Sequence, residues 1–121
     1  MSVATILASA LIVQAPVPTD GVEVAYREMI QGRAEAAIRK IESADDSQAE
    51  HPARLINLGI AHARLGNEEK ARQLFAQAAS NSERYWLETS SGKWADAREI
   101  ARAAMAKLDH GEFAAAQLAS R

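Results

Sequence analysis

The side chains that carry most protein chemistry are sparse in this chain, and where they occur their spacing is wrong for the common sites. Cysteine is absent, which removes the thiolate nucleophile, the disulfide, the iron–sulfur cluster and the lipidated cysteine together. The three histidines, His51, His62 and His110, are widely separated and do not form the clustered His/carboxylate set of a metal site. Asp45 and Asp46 are adjacent carboxylates, but no third or fourth oxygen ligand follows at calcium-loop spacing, so a solvated acidic loop is expected. Ser90-Ser91-Gly92-Lys93 lacks the upstream glycine of a phosphate-binding loop and the hydroxyl residue after the lysine, and reads as a turn. No serine-hydrolase elbow, zinc-protease helix or dinucleotide fingerprint occurs. The expectation is a protein that is not an enzyme and that holds no cofactor and no metal.

What remains is surface and shape. The 121 residues allow one small domain, and 48% hydrophobic with 25% charged residues is ordinary for a globular chain. Alanine is abundant and aromatics make up only 5% of the residues, which favours closely packed helices over a sheet sandwich. The net charge of −2, with both signs interspersed, gives no field for recruiting nucleic acid.

The stretch from Pro52 to Tyr85 organises the rest. Leu55, Leu58, Gly59 and His62 recur at the spacing of one helix face, and Ala71, Leu74, Phe75 and Ala78 repeat that spacing. Gly66 between them suits the left-handed residue that ends a helix, and Asn67 can cap the next helix through its side-chain oxygen. Two antiparallel helices follow from this pattern. Gly59, Ala71 and Ala78 let the backbones approach, and Phe75 fills the gap.

This unit resembles the tetratricopeptide repeat, whose 34-residue pattern runs W-x2-L-G-x2-Y, then A-x3-F, then P. Leu55 stands for the Trp, Leu58-Gly59 match, His62 replaces the Tyr, Ala71 and Phe75 match, and Glu83 stands where the Pro is expected. A more degenerate copy precedes it, because Gly32 and Gly66, Ala37 and Ala71, and Ile41 and Phe75 each stand 34 apart. Asp20 with Glu23 forms a capping-box arrangement, predicting a first helix over about 21–31 with Val24, Ala25 and Met29 inward. The second helix is predicted over 33–43, and Pro52 suits the first turn of the next. After Asn81 the helical period breaks. Arg84 to Thr89 is rich in strand formers, and a three-residue loop with Gly92 left-handed would pair Thr89 with Lys93. Trp86 and Trp94 would then share one face, and their rings are expected to pack on helices as core anchors. An irregular loop is the alternative. Asp96 and Glu99 open a helix running to about Leu108, Gly111 ends it, and a last helix is predicted over 112–119. Aligning Gly111 with Gly66 makes this a third, degenerate unit.

The reading is an all-α stack of about three helix hairpins over 18–121, with units near 18–51, 52–85 and 96–121 and an insertion over 85–95 that is either a short β-hairpin or a loop. One unit cannot bury its own apolar face, so several must stack. The resemblance implies binding of a protein or peptide in a concave groove lined by the first helix of each unit. Its usual contact positions fall on Ala53, Ile56, Asn57, Ile60 and Arg64, with Tyr26 in the first unit. Some family members clamp a peptide carboxylate, and Asn57, Arg98 and Arg102 match three clamp positions, whereas Val22 and Tyr26 stand where that clamp needs Lys and Asn. The other function class is a structural protein that self-associates through the uncovered ends of a short stack, giving a homodimer.

The N-terminal segment 1–17 stands apart. Val3 to Val13 is an uncharged run of 11 residues, too short to span a membrane comfortably and suited to the core of a signal peptide. Val13-Gln14-Ala15 offers small residues before a cleavage point, and Ala8-Ser9-Ala10 an earlier one, although Lys and Arg are missing ahead of the run and Pro16 follows Ala15. Export would place the chain in the periplasm or outside the cell; otherwise it is cytoplasmic, with the apolar run as a short helix packed on the repeats. Fractionation with N-terminal sequencing separates these: a start at Pro16 is the exported outcome, and an intact Met1 or Ser2 end in the cytoplasmic fraction removes it.

Overall fold

The computed structural model of the chain describes residues 10–14 and 21–113. Most of residues 1–17, Asp20 of the first capping box and most of the helix predicted over 112–119 lie outside the described residues. The described chain is mostly helical with one small antiparallel sheet. In order it runs α1 (Tyr26–Ile30), α2 (Ala34–Glu42), a 3-10 turn (Asp46–Gln48), α3 (Pro52–Arg64), α4 (Glu68–Ala79), β1 (Trp86–Glu88), β2 (Trp94–Asp96) and α5 (Ala97–Asp109). Consecutive helices pack on one another, and α5 also touches α3. No helix among the described residues is long and apolar enough to cross a membrane.

Helix α3 is the centre. Every residue from His51 to Ala61 is buried, so this helix has no water-facing side over three turns, and its neighbours must cover it all round. Pro52 sits at its start and the His51 imidazole caps it, Nδ1 accepting from the Ala53 N–H at 3.1 Å. Gly66 ends the helix at φ 85°, a backbone conformation that a Cβ would strain. Asn67, predicted to cap α4 with its side chain, does not: its Nδ2 lies 3.2 Å from His62 Nδ1, and its main-chain N–H donates to the His62 carbonyl.

The first predicted helix is largely absent. Residues 21–25 are not helical, Ala25 takes φ 50°, and α1 keeps only Tyr26–Ile30. Val24, Ala25 and Met29, the residues predicted to face inward, are nonetheless buried, Val24 and Ala25 on a non-helical backbone, and Val22 is buried with them. The physical reason is a competing partner: the Val24 carbonyl accepts a hydrogen bond from Asn57 Nδ2 at 2.9 Å, and Glu23 Oε2 takes the Ala25 N–H at 2.8 Å. β-Branched Val22 and Val24 weaken the competing helix.

Residues 85–95, predicted as a short hairpin or a loop, carry a β-hairpin. Trp86 pairs with Asp96, Leu87 with Ala95 and Glu88 with Trp94; the Thr89 N–H donates to the Lys93 carbonyl at 2.9 Å, and Gly92 takes φ 84°. The two Trp rings share a face as expected, but it is the outer one. Trp86 and Trp94 are 59% and 60% exposed, which overturns their role as core anchors. Leu87, on the opposite face of the same ladder, is the buried anchor. Asp96 ends β2 and caps α5, accepting from the Arg98 N–H at 2.9 Å, while the Ala97 N–H donates to the Tyr85 carbonyl at 2.8 Å. The hairpin is thereby fixed to α5 at its base.

The seam between α3 and α4 is the one predicted from small residues. A Cβ on Gly59 would lie 2.5 Å from Phe75 Cε1, well inside contact distance. Phe75 is fully buried and stacks on Phe113 with centroids 6.2 Å apart. Gly59→Ala is therefore expected to destabilise the chain by about 1–3 kcal/mol, the usual cost of overpacking, despite alanine's better helix propensity. Urea melts should show a lower midpoint at unchanged slope.

Candidate functional site

The residues predicted to line an open groove are not open. Ala53, Ile56, Asn57 and Ile60 have no exposed surface, and the three apolar ones belong to the same core cluster as Ile12 and Val13 of the N-terminal segment. That segment, read from sequence as signal peptide or as a short helix, is extended over residues 12–14. It meets this face at Asn57, which bonds Val13.

How the cover is held follows from strand geometry. Val13 pairs antiparallel with Thr89, just beyond the end of β1. The Gln14 N–H donates to the Glu88 carbonyl at 2.9 Å, and the Ser90 N–H donates to the Ile12 carbonyl at 2.7 Å. These bonds flank the Val13–Thr89 pair, so the N–H and C=O of Val13 itself point away from β1. They meet the Asn57 carboxamide, whose Oδ1 accepts from the Val13 N–H at 2.7 Å while Nδ2 donates to the Val13 carbonyl at 2.8 Å. One side chain thus does for Val13 what a third strand would do. The remaining Nδ2 hydrogen goes to Val24. Gln14 adds a side-chain bond, Nε2 donating to the Thr89 carbonyl at 3.1 Å.

The other predicted residues are dispersed. Tyr26 is half-buried against the core. Arg64, at the end of α3, donates from Nη1 to the Met29 carbonyl at 2.7 Å, and burial lowers its guanidinium pKa. Arg98 is held by Asp96, Nη2 to Oδ2 at 3.0 Å, and that pairing, reinforced by the Arg98 main-chain N–H, lowers the Asp96 pKa. Arg102 is exposed on α5. With Asn57 bonded to Val13 and Arg98 to Asp96, the three do not assemble a carboxylate clamp. His62 is half-buried, and desolvation lowers its pKa against the opposing field of Glu42. No group of three metal-ligating side chains occurs among the described residues.

A second concavity, a polar cleft of about 450 Å³, lies between the 3-10 turn and the end of α4. Gln48, Gln77, Asn81 and the edge-to-face pair His51–Tyr85 line it, at a centroid distance of 4.8 Å. The Val13 seat is the better developed site, because its donors and acceptors converge on a bound main chain.

Sequence reading missed Ile12, Val13, Gln14, Thr89 and Ser90. The signal for the first two was present: adjacent β-branched residues inside an uncharged run favour a buried strand as readily as an export signal. Comparison of the chain with family models, with curated proteins and with solved structures finds no match in any of the three.

Asn57→Ala orphans three buried main-chain groups. The expected loss is about 3 kcal/mol or more, since three groups are left unsatisfied and each costs about 1–3. Amide exchange should rise at Val13 and Ser90 well before it rises in α4, which shows whether the segment leaves as a unit.

Proposed function

We propose that the chain is a protein-interaction module of the helical-repeat type, whose central helix hairpin grips an extended segment of polypeptide by its main chain. The carrying observation is the fully buried Asn57 carboxamide, bonded to both the N–H and the C=O of one residue of an extended segment. Such a contact identifies a backbone, whatever chain delivers it, and adding a strand to a sheet edge is a recurrent mode of peptide capture. The segment over residues 12–14 is then the module's own ligand, occupying the seat that a partner's segment takes.

The repeat reading is supported by consecutive packing of α2 on α3 and α4 on α5, and by glycines of positive φ at Gly32, Gly66 and Gly111, after α1, α3 and α5. The Gly59–Phe75 approach matches the small-on-large seam that the tetratricopeptide pattern requires. A peptide role also explains why the only described polar side chain with no exposed surface points at main chain instead of at a metal or a second side chain.

The segment held in cis competes with any ligand. A connector of six residues, 15–20, joins it to Gly21, and tethers that short give effective concentrations of about millimolar order. The test uses full-length chain carrying Val13→Pro, which removes the N–H that Asn57 accepts and so unseats the tethered copy. A capped, dye-labelled peptide with the sequence of residues 10–15 is titrated and followed by polarisation. Saturable binding to this variant, weaker by about tenfold or more on the unchanged chain, is the expected result. A variant with native circular dichroism that binds no peptide overturns the reading.

A further inference from the structure

Resting on that reading, the geometry of the seat points to a selective partner: we propose that the module captures an extended strand, antiparallel to β1, that carries an apolar residue, a β-branched residue and a glutamine in succession. Each position is read by a different device. At the first, the carbonyl of Ile12 accepts from the Ser90 N–H at 2.7 Å while its side chain is 1% exposed, so an aliphatic group is required and a polar one is rejected.

At the second, Val13 is completely buried, with both main-chain groups on Asn57. Proline is excluded there because the Asn57 Oδ1 would face a ring carbon where it now accepts a hydrogen. Alanine leaves a void in a closed core, and phenylalanine overfills it. Valine and isoleucine fit, and their stiff χ1 favours the extended backbone the site holds.

The third position gives the sharpest discrimination. Gln14 is half-buried; its N–H donates to the Glu88 carbonyl at 2.9 Å, which again excludes proline, and its Nε2 donates to the Thr89 carbonyl at 3.1 Å. Glutamate has the same shape but presents an acceptor to an acceptor, so it turns the contact repulsive. Asparagine is one methylene short of the same carbonyl. The site therefore reads amide from carboxylate through a main-chain oxygen of the hairpin, so at this third position the hairpin, not the helices, confers the selectivity.

Competition experiments on the full-length Val13→Pro chain test this, with the capped peptide of residues 10–15 displaced by versions altered at one position. Proline at the second position should abolish competition. Alanine or phenylalanine there, and glutamate for glutamine, should each weaken it by about tenfold, while isoleucine for valine stays within about threefold. A parent peptide that binds while all altered peptides compete equally would overturn the selectivity and leave the module reading intact. The same rule is read in cis without added peptide, in case the proline variant fails to fold. In otherwise unchanged full-length chain, Gln14→Glu should speed amide exchange at Ser90 and at residue 14 by about tenfold relative to Gln14→Met, which keeps the length and removes the amide without adding a carboxylate. Equal exchange in the two would overturn the proposal by itself.

Discussion

The structure depends on a single carboxamide. Asn57 lies on a helix buried on every side, where an amide without partners would be costly, and it spends both of its hydrogens and one oxygen lone pair on main chain. Those bonds reach Val13 and Val24, 44 and 33 residues away. The side chain therefore ties the N-terminal segment, the stretch before α1 and α3 into one unit. Neutral apolar packing could close the same space but would not fix the strand's register, because a slip by one residue would carry Val13 out of the core and its N–H away from Oδ1.

Local rules read the chain well where the determinants are local. The α3–α4 seam was legible because Gly59 and Phe75 have to match in size. The cap of α5 was legible because Asp96 needs only the amide two residues on. The hairpin was legible in its turn and register because Gly92 sets both. Its facing was not. Alternation separates Trp86 and Trp94 from Leu87 but does not say which side meets the core, and ring size argued for the wrong one. The segment over 21–25 failed for a related reason: its hydrophobic residues fit a helix, and a distant Asn57 hydrogen bond to Val24, with the Glu23 carboxylate on the Ala25 N–H, favours the non-helical form.

The groove was misjudged in a more instructive way. Ala53, Ile56, Asn57 and Ile60 are buried instead of lining open water, and Asn57 bonds the main chain of an extended polypeptide. What sequence could not show is that the polypeptide belongs to the same chain. Residues 10–14 offer composition alone, and an uncharged apolar run has equal claims to a signal core, a short helix and a core strand. The strand form is decided by acceptors and donors at Glu88 and Ser90, 74 and 78 residues beyond Gln14 and Ile12, which no window along the sequence can hold.

The seat has two walls that never meet in sequence. The inner wall is α3; the outer wall is the edge of β1, and β1 is anchored to α5 through Asp96, whose carboxylate caps the helix and holds Arg98 while Arg84 Nε lies 3.4 Å away. Helix α4 packs against both α3 and α5. The distance from the Asn57 amide to the Glu88 carbonyl therefore depends on how those three helices stack, and Gly59 against Phe75 is a close approach in the α3–α4 seam. A strand needs fixed spacing on both edges, within a few tenths of an ångström, to keep its hydrogen bonds on each side. The glycine seam is thus one of the contacts on which the slot that holds Val13 from both sides depends.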